Sequence, residues 1–439
     1  MGLARRCRLA GPRAGAHRLT ARGSQPAISP VAEGGRSGAD APGVLMVTTR
    51  SWPSLGGIQQ DVAWTARGMA EERPVRVGAL LATDREMTRR LQFTEVPTWE
   101  PIDGGGYQVR PFPMTALERA CLLPLAFWRG RVPGALHQRA RAFSAPVYAA
   151  AVAPAIERLA QGMSLIHLFG SDMIGFAALR AARRLRIPLV ITPYTHAGWW
   201  GDDILNQRLF READAVLALL ESEADDYRAW GVPAERLHVT GVFRMPGEAG
   251  EMPVSLPAGH PVVAFIGVKR FYKGIDVMRA AAPAVWERYP DTMFVLAGPG
   301  DDAPPAQADP RLIELGWISD AQKFALLDRA DILCLPSRSE ILPGVILEAW
   351  ERGKPVVTSD IPNLKSLVGD GGIACPPDPA SLAAALVSLI GDPDRRRILG
   401  AWGRDRVAQT YNRDAYLARL RTIYDTVLAG GGQARSGPR

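Results

Sequence analysis

The sequence predicts two doubly wound α/β domains joined by a short linker. Three observations lead to that fold class. The chain has 439 residues, more than one ordinary core accommodates. Apolar strand-like runs alternate with helical stretches from Gly43, stop near residue 245 and restart at residue 261. Glycine turns follow several of the strand runs, as strand-to-helix connections require.

The first run, Gly43-VLMVTT, ends just before the loop Ser54-Leu-Gly-Gly. A helical stretch over 58–70 and the short run VRVGALLA (75–82) come next. Strand, glycine turn, helix and strand open a doubly wound domain. SLIHLFG, the helical GFAALRAARRL, IPLVITP and ADAVLAL continue the rhythm. Residues 242–260 hold proline and glycine with few periodic positions and read as a linker. The pattern resumes with VVAFIGV, a helix over 273–288, TMFVLAG, a helix over 319–329, DILCLP, a helix over 344–352, and KPVVTS. These alternations imply a second parallel sheet covered on both faces. From Pro393 to Leu428 the chain reads as helical.

The expected organisation is a disordered extension (1–42), a first Rossmann-like domain (43–245), a linker (246–260), a second Rossmann-like domain (261–405), a final helix (406–428) and a loose tail (429–439). Two facing domains of this kind hold ligand in the cleft beyond the carboxyl ends of their strands.

Composition narrows the function. The net charge is +7, but residues 1–42 carry seven arginines against two acids. Subtracting them from 52 basic and 45 acidic residues leaves 45 and 43 for the rest. A near-neutral body argues against nucleic acid as a partner. The arginine-rich, acid-poor extension is similar to an organelle transit peptide. A translation start placed too far upstream is an equally simple account and the preferred one. No apolar run reaches the ~18 residues of a membrane span. Four scattered cysteines without a CxxC pair fit neither a zinc site nor a disulfide framework, and point to the cytoplasm.

The most informative segment is Pro336-SRSEILPGVILEAWERGKPVV. Glu340 and Glu348 flank a strand-to-helix turn containing Pro343-Gly344. Free backbone N–H groups and the positive helix end suit sugar hydroxyls or phosphate, and each carboxylate can grip a vicinal diol. The bland alternative is an ordinary helix start with acids favoured by its dipole. A second basic segment is Gly267-VKRFYKGID, which places Lys273 and Gly274 on the first turn of the expected helix. Lys273 could neutralise a diphosphate leaving group. The chain has five lysines among 52 basic residues, yet Lys269 and Lys273 share this loop, which argues against a mere solvated charge.

Gly56-Gly57 lies between strand and helix, where glycine lets backbone approach a ligand, although a lone Gly-Gly is more often only a turn. His167, at a strand end, reads as a packing residue. His196, among glycine and tryptophan in TPYTHAGWWGDD, faces the expected cleft, where Trp199, Trp200, Asp202 and Asp203 would shape acceptor recognition. The turn Gly298-Pro-Gly-Asp is too short a GxG run to define a dinucleotide loop. Residues 117–143 mix Leu, Phe and Trp with Arg119, Arg129, Arg131, Arg139 and Arg141, a composition that could dock on an anionic bilayer. Pro124, Pro133 and Gly134 break any long amphipathic face there, so a solvated insertion is the alternative.

The Glu340–Glu348 stretch resembles the E-x7-E motif of retaining glycosyltransferases of family 4, whose fold is GT-B, and GKPVVTSDIPN…GDGGIACPPDPASLAAAL resembles the run that follows it. The resemblance covers about residues 43–428. It implies that Glu348 holds the ribose and Glu340 approaches the transferred sugar, with Val345 and Gly298 also at the donor. Gly57 falls on the family's G-G-[IV] loop, and Trp317 to Ala330 on the region sheltering the nucleobase. The G-R-x-x-x-x-K-G pattern places its lysine on Lys273 but its arginine on Val268, so Lys269 or Arg270 would supply that charge. The family histidine after the strand falls on Tyr194, two residues before His196, and a family glutamate on Ser366.

The resemblance further implies a final helix crossing back onto the first domain. The implied reaction is retaining transfer of a hexose from a UDP- or GDP-sugar, by a front-face route, to a polysaccharide, lipid-linked or small-molecule acceptor. No metal or other cofactor is called for. Alternatives are a nucleotide-sugar-binding protein without transfer, and an epimerase or phosphorylase on the same fold.

Overall fold

The computed structural model describes residues 41–52, 56–82, 99–125, 137–300 and 309–433. The first domain runs β1 (Val44–Arg50), α1 (Gly57–Ala70), β2 (Val75–Leu81), β3 (Ile102–Asp103), β4 (Gln108–Pro111), α2 (Ala116–Ala120), α3 (His137–Leu159), β5 (Leu165–Phe169), α4 (Met173–Leu185), β6 (Leu189–Thr192), α5 (Ile204–Glu212), β7 (Ala215–Ala218), α6 (Glu221–Ala229) and β8 (Leu237–Val239). Its sheet has the order β3-β4-β2-β1-β5-β6-β7-β8 and is parallel except for the β3–β4 pair. β1 and β5 to β7 are apolar runs that are buried almost throughout, as a sheet covered on both faces demands.

The second domain runs β9 (Val262–Ile266), α7 (Ile275–Arg288), β10 (Met293–Ala297), β11 (Leu312–Leu315), α8 (Asp320–Arg329), β12 (Ile332–Leu335), α9 (Gly344–Glu351), β13 (Val356–Ser359), α10 (Pro362–Val368), β14 (Gly372–Cys375), α11 (Pro379–Ile390), α12 (Pro393–Thr410) and α13 (Arg413–Gln433). Its sheet has the order β11-β10-β9-β12-β13-β14. The strand order reverses between β9 and β12, so the loops after those two strands open a crevice at the switch point. Both sheets belong to one compact unit.

Several boundaries differ from the sequence reading. The helix expected from residue 273 starts at Ile275. Phe271–Lys273 form a 3-10 turn, and Gly274 takes the left-handed conformation with φ 70°. An alanine Cβ there would lie 1.9 Å from the Pro336 carbonyl oxygen, so glycine alone lets the two loops touch. The helix over 319–329 starts at Asp320 because Ser319 caps it in a capping box with Gln322. The long C-terminal stretch is two helices, α12 and α13, divided at Tyr411–Asn412.

Helix α13 lies against the first domain. Leu417, Leu420 and Tyr424 join the core beneath β1 and α1, and the Tyr416 hydroxyl meets Thr65 at 3.2 Å. The linker packs on the second domain, where Gly250 N–H donates to Ala321 at 3.0 Å. Among the described residues no helix is long and apolar enough to cross a membrane.

Candidate active site

The loops after β9 and β12 meet at Lys273 and Glu340. Lys273 Nζ lies 2.6 Å from Glu340 Oε1, and Ser337 donates its hydroxyl to the same oxygen at 2.9 Å. Asn363 donates its side-chain N–H to the Glu340 carbonyl at 2.9 Å. Arg338 stitches the loops together by bonding Tyr272 through its backbone and Asp276 through its guanidinium. Glu340 is buried, and its carboxylate has a cation and a hydroxyl donor in place of water.

His196 reaches this pair from the first domain. Its Nδ1 is 2.8 Å from the Ser339 hydroxyl, directly beside Glu340. Burial, and then the Lys273 charge, push its pKa down to about 4, so the imidazole is neutral near pH 7. Its ring lies against Trp200, with centroids 4.1 Å apart. Trp200 in turn meets Tyr272 of the second domain edge-on at 5.4 Å. Trp199 and Trp200 remain 44% exposed, an aromatic rim at the cleft. The two aspartates beside them serve local structure. Asp203 caps α5 and pairs with Arg141 at 2.8 Å, while Asp202 accepts the Gly198 N–H at 2.7 Å.

Deeper in the cleft, Glu348 sits on α9 with Lys323 Nζ 2.8 Å from its Oε1. Val345, on the first turn of the same helix, is half-buried against the second core. Gly344 opens the helix and carries the Arg244 guanidinium on its face; a Cβ there would lie 1.9 Å from Arg244 Nε. Arg244 Nη1 lies 2.5 Å from Asp61 Oδ1 on α1, and Tyr194 donates to Asp61 Oδ2 at 3.1 Å. Burial raises the Asp61 pKa despite the guanidinium beside it. Gly57 opens α1 on the opposite wall.

The other residues singled out in the sequence have varied surroundings. Lys269 is buried with Glu314 at 3.1 Å, and Arg279 holds the same carboxylate at 2.7 Å. That ammonium therefore belongs to a structural ion pair on the β11 side. Arg270 is exposed. Gly298, with φ 136°, works through backbone proximity, since a Cβ would lie 1.9 Å from the Gly267 carbonyl. His167 is wholly buried between the Tyr424 hydroxyl at 2.6 Å and Thr192 Oγ1 at 2.8 Å. It ties the first sheet to α13, as a packing residue should.

Sequence reasoning missed Arg244, Asp61, Ser339 and Lys323. Only Lys323 carried a usable signal, being one of the five lysines. Among the described residues no group of three or more His, Cys, Asp or Glu is gathered to hold a metal.

Comparison with known proteins bears on the fold and on the class of protein. Residues 56–242 match the family described as "Glycosyl transferase 4-like domain", and residues 260–392 match "Glycosyl transferases group 1". The chain is therefore a glycosyltransferase of the GT-B fold. Glycogen synthase of Mycobacterium tuberculosis is 27% identical over 291 residues, covering 61% of this chain and 69% of that one. Phosphatidyl-myo-inositol mannosyltransferase of Mycobacterium leprae is 31% identical over 191 residues, covering 40% of this chain and 51% of that one. The structure of sucrose-phosphate synthase from Thermosynechococcus elongatus aligns with a TM-score of 0.63 at 19% identity, over 89% of this chain and 100% of that one. At that identity the likeness concerns the fold.

Proposed function

We propose that the protein is a retaining hexosyltransferase that uses a UDP- or GDP-sugar and an acceptor hydroxyl. The observation that carries this reading is the Lys273–Glu340 pair, closed by His196 and Ser339 from opposite walls of the cleft. In the proposed reaction the bond between the anomeric carbon and the β-phosphate oxygen breaks, and its electron pair leaves on the phosphate. Lys273 meets that developing charge. The acceptor oxygen bonds the anomeric carbon from the same face and passes its proton to the departing phosphate, so no side-chain nucleophile is needed. Glu340 and the neutral His196 orient sugar hydroxyls, and Glu348 grips the ribose diol. No metal or other cofactor is called for.

The acceptor is a glycan, a lipid-linked sugar or a small molecule. The relatives named above include a glycogen synthase and a phosphatidyl-myo-inositol mannosyltransferase, which supports the first two classes. Docking of residues 117–143 on a cytoplasmic membrane face stays part of this proposal in reduced form. Leu117, Leu123 and Phe143 are exposed, but Arg141 is turned inward to Asp172 and Asp203. Arg129 and Arg131 lie outside the described residues, as does the side chain of Arg139.

Calorimetry with UDP and GDP, followed by a donor-cleavage assay with the product anomer read by NMR, tests the reading. Micromolar binding of one nucleotide and release of sugar with retained configuration are expected. Tight binding without release from any donor would instead identify a nucleotide-sugar-binding protein. Epimerised donor, or sugar 1-phosphate formed from a glycan and orthophosphate, would identify the other two activities.

A further inference from the structure

The donor diphosphate in that reading needs more positive charge than Lys273 supplies. Val268 is apolar, Lys269 is committed to Glu314, and Arg270 is exposed on the loop. Arg244, just after β8, is in a position to provide it. Its side chain is only 5% exposed. The guanidinium lies between the first residues of two helices, one from each domain. The Cβ position of Gly344 on α9 is 1.9 Å from Nε and 2.3 Å from Nη2, and that of Gly57 on α1 is 4.0 Å from Nη2.

Both of its hydrogen bonds among the described residues leave from Nη1, to Asp61 Oδ1 at 2.5 Å and to its own Phe243 carbonyl at 2.8 Å. The Trp64 ring backs the guanidinium at 5.4 Å. The Nε–Nη2 edge, the bidentate edge of an arginine, is turned toward Gly344. Burial disfavours the charged guanidinium, but Asp61 and Glu348 outweigh that cost and hold it protonated. Asp61 balances one charge, and the helix-end N–H groups still favour an anion. No atom fits between that edge and Gly344 as they stand, so a bound diphosphate would move the guanidinium off the glycine and then meet both its edge and the helix-end N–H groups.

We propose that Arg244 binds the diphosphate of the donor and takes over the charge missing at Val268. The inference rests on the nucleotide-sugar reading above. When the anomeric carbon–oxygen bond breaks and its electron pair moves to the β-phosphate, Arg244 and Lys273 share that charge from opposite walls of the cleft. Because Arg244 bonds Asp61 of the first domain and lies on α9 of the second, the same contact draws the two domains onto the donor.

The test compares UDP and GDP with uridine and guanosine by calorimetry on the full chain. Arg244→Gln should weaken binding of the preferred diphosphate on the order of 30-fold, the worth of one charged hydrogen-bond pair, and leave the nucleoside unchanged. Arg244→Lys keeps the charge beside Asp61 but loses the bidentate edge. It should weaken the diphosphate about tenfold and serves if the glutamine variant does not fold. Wild-type affinity for the diphosphate in a folded variant, or equal losses on diphosphate and nucleoside, would overturn the assignment. A wild-type chain that binds neither UDP nor GDP would remove the functional reading itself, and this inference with it.

Discussion

Lys273→Met separates the two roles this lysine can have. Its ammonium is 2.6 Å from a carboxylate whose side chain is 5% exposed, so removing it leaves the Glu340 carboxylate with the Ser337 hydroxyl as its donor among the described residues. Breaking a buried pair in this way costs roughly 3–5 kcal/mol, and the partial exposure of Lys273 keeps the loss at the low end. The low end, about 3 kcal/mol, is the expected loss of stability in urea denaturation. Turnover should also fall by roughly 10²–10³, the worth of one preorganised donor at a developing oxyanion.

The double variant K273M/E340Q then decides between the roles. It removes the orphaned charge, so stability should return to within about 1 kcal/mol of wild type. If Lys273 meets the leaving phosphate, turnover of the double variant stays at least about 100-fold below that of Glu340→Gln alone, because the lost charge is not restored. The assay is sugar transfer or donor cleavage under saturating donor, with stability measured on the same samples. A double variant as active as Glu340→Gln would refute the reasoning and reduce Lys273 to a structural partner of Glu340.

Three further outcomes are expected. Gly274→Ala combines φ 70° with a Cβ 1.9 Å from the Pro336 carbonyl oxygen. It should therefore cost at least about 2 kcal/mol in urea unfolding and lower turnover by moving Lys273. Glu348→Gln should weaken UDP or GDP about tenfold while Lys323, still paired with Asp320 at 3.0 Å, keeps the fold intact; unaltered nucleotide affinity would contradict the ribose contact. Burial pushes the His167 pKa down to about 3, below its ordinary value near 6.5. Its neutral form is therefore favoured in the folded chain. The stability it contributes is fully present above about pH 6.5 and is lost by about 1.4 kcal/mol per pH unit as pH falls toward 3. Denaturation at pH 6 and pH 5 should show a shallower pH slope for His167→Gln than for wild type.

Much of the fold was legible because its signals are local. Strands β9, β10 and β12 are unbroken apolar runs and β1 and β5 are mostly apolar, a pattern that a sheet covered on both faces buries. The two-residue β3 and three-residue β8 escaped notice, being too short to show a period. Glu340 and Glu348 could be singled out because one turn separates them and spacing along a chain survives folding. The donor-side role of Lys269 could not be judged in the same way. Its rarity marked it together with Lys273, yet Glu314, 45 residues away, engages one ammonium and leaves the other to Glu340.

The sequence by itself determined the alternation of strands and helices, the linker, and the presence of two carboxylates and a lysine on cleft loops. Each of these depends on residues close in the chain. Tertiary structure alone supplied the partners of the two histidines. His167 lies within β5, and α13 returns from the far end of the chain to bury it against Tyr424. The second domain meets the other through Ser339. It also decided the place of Arg244, a linker residue with no local pattern. That guanidinium gains meaning only where two helix ends from opposite domains converge on it, because the field it sits in is the sum of groups remote in sequence.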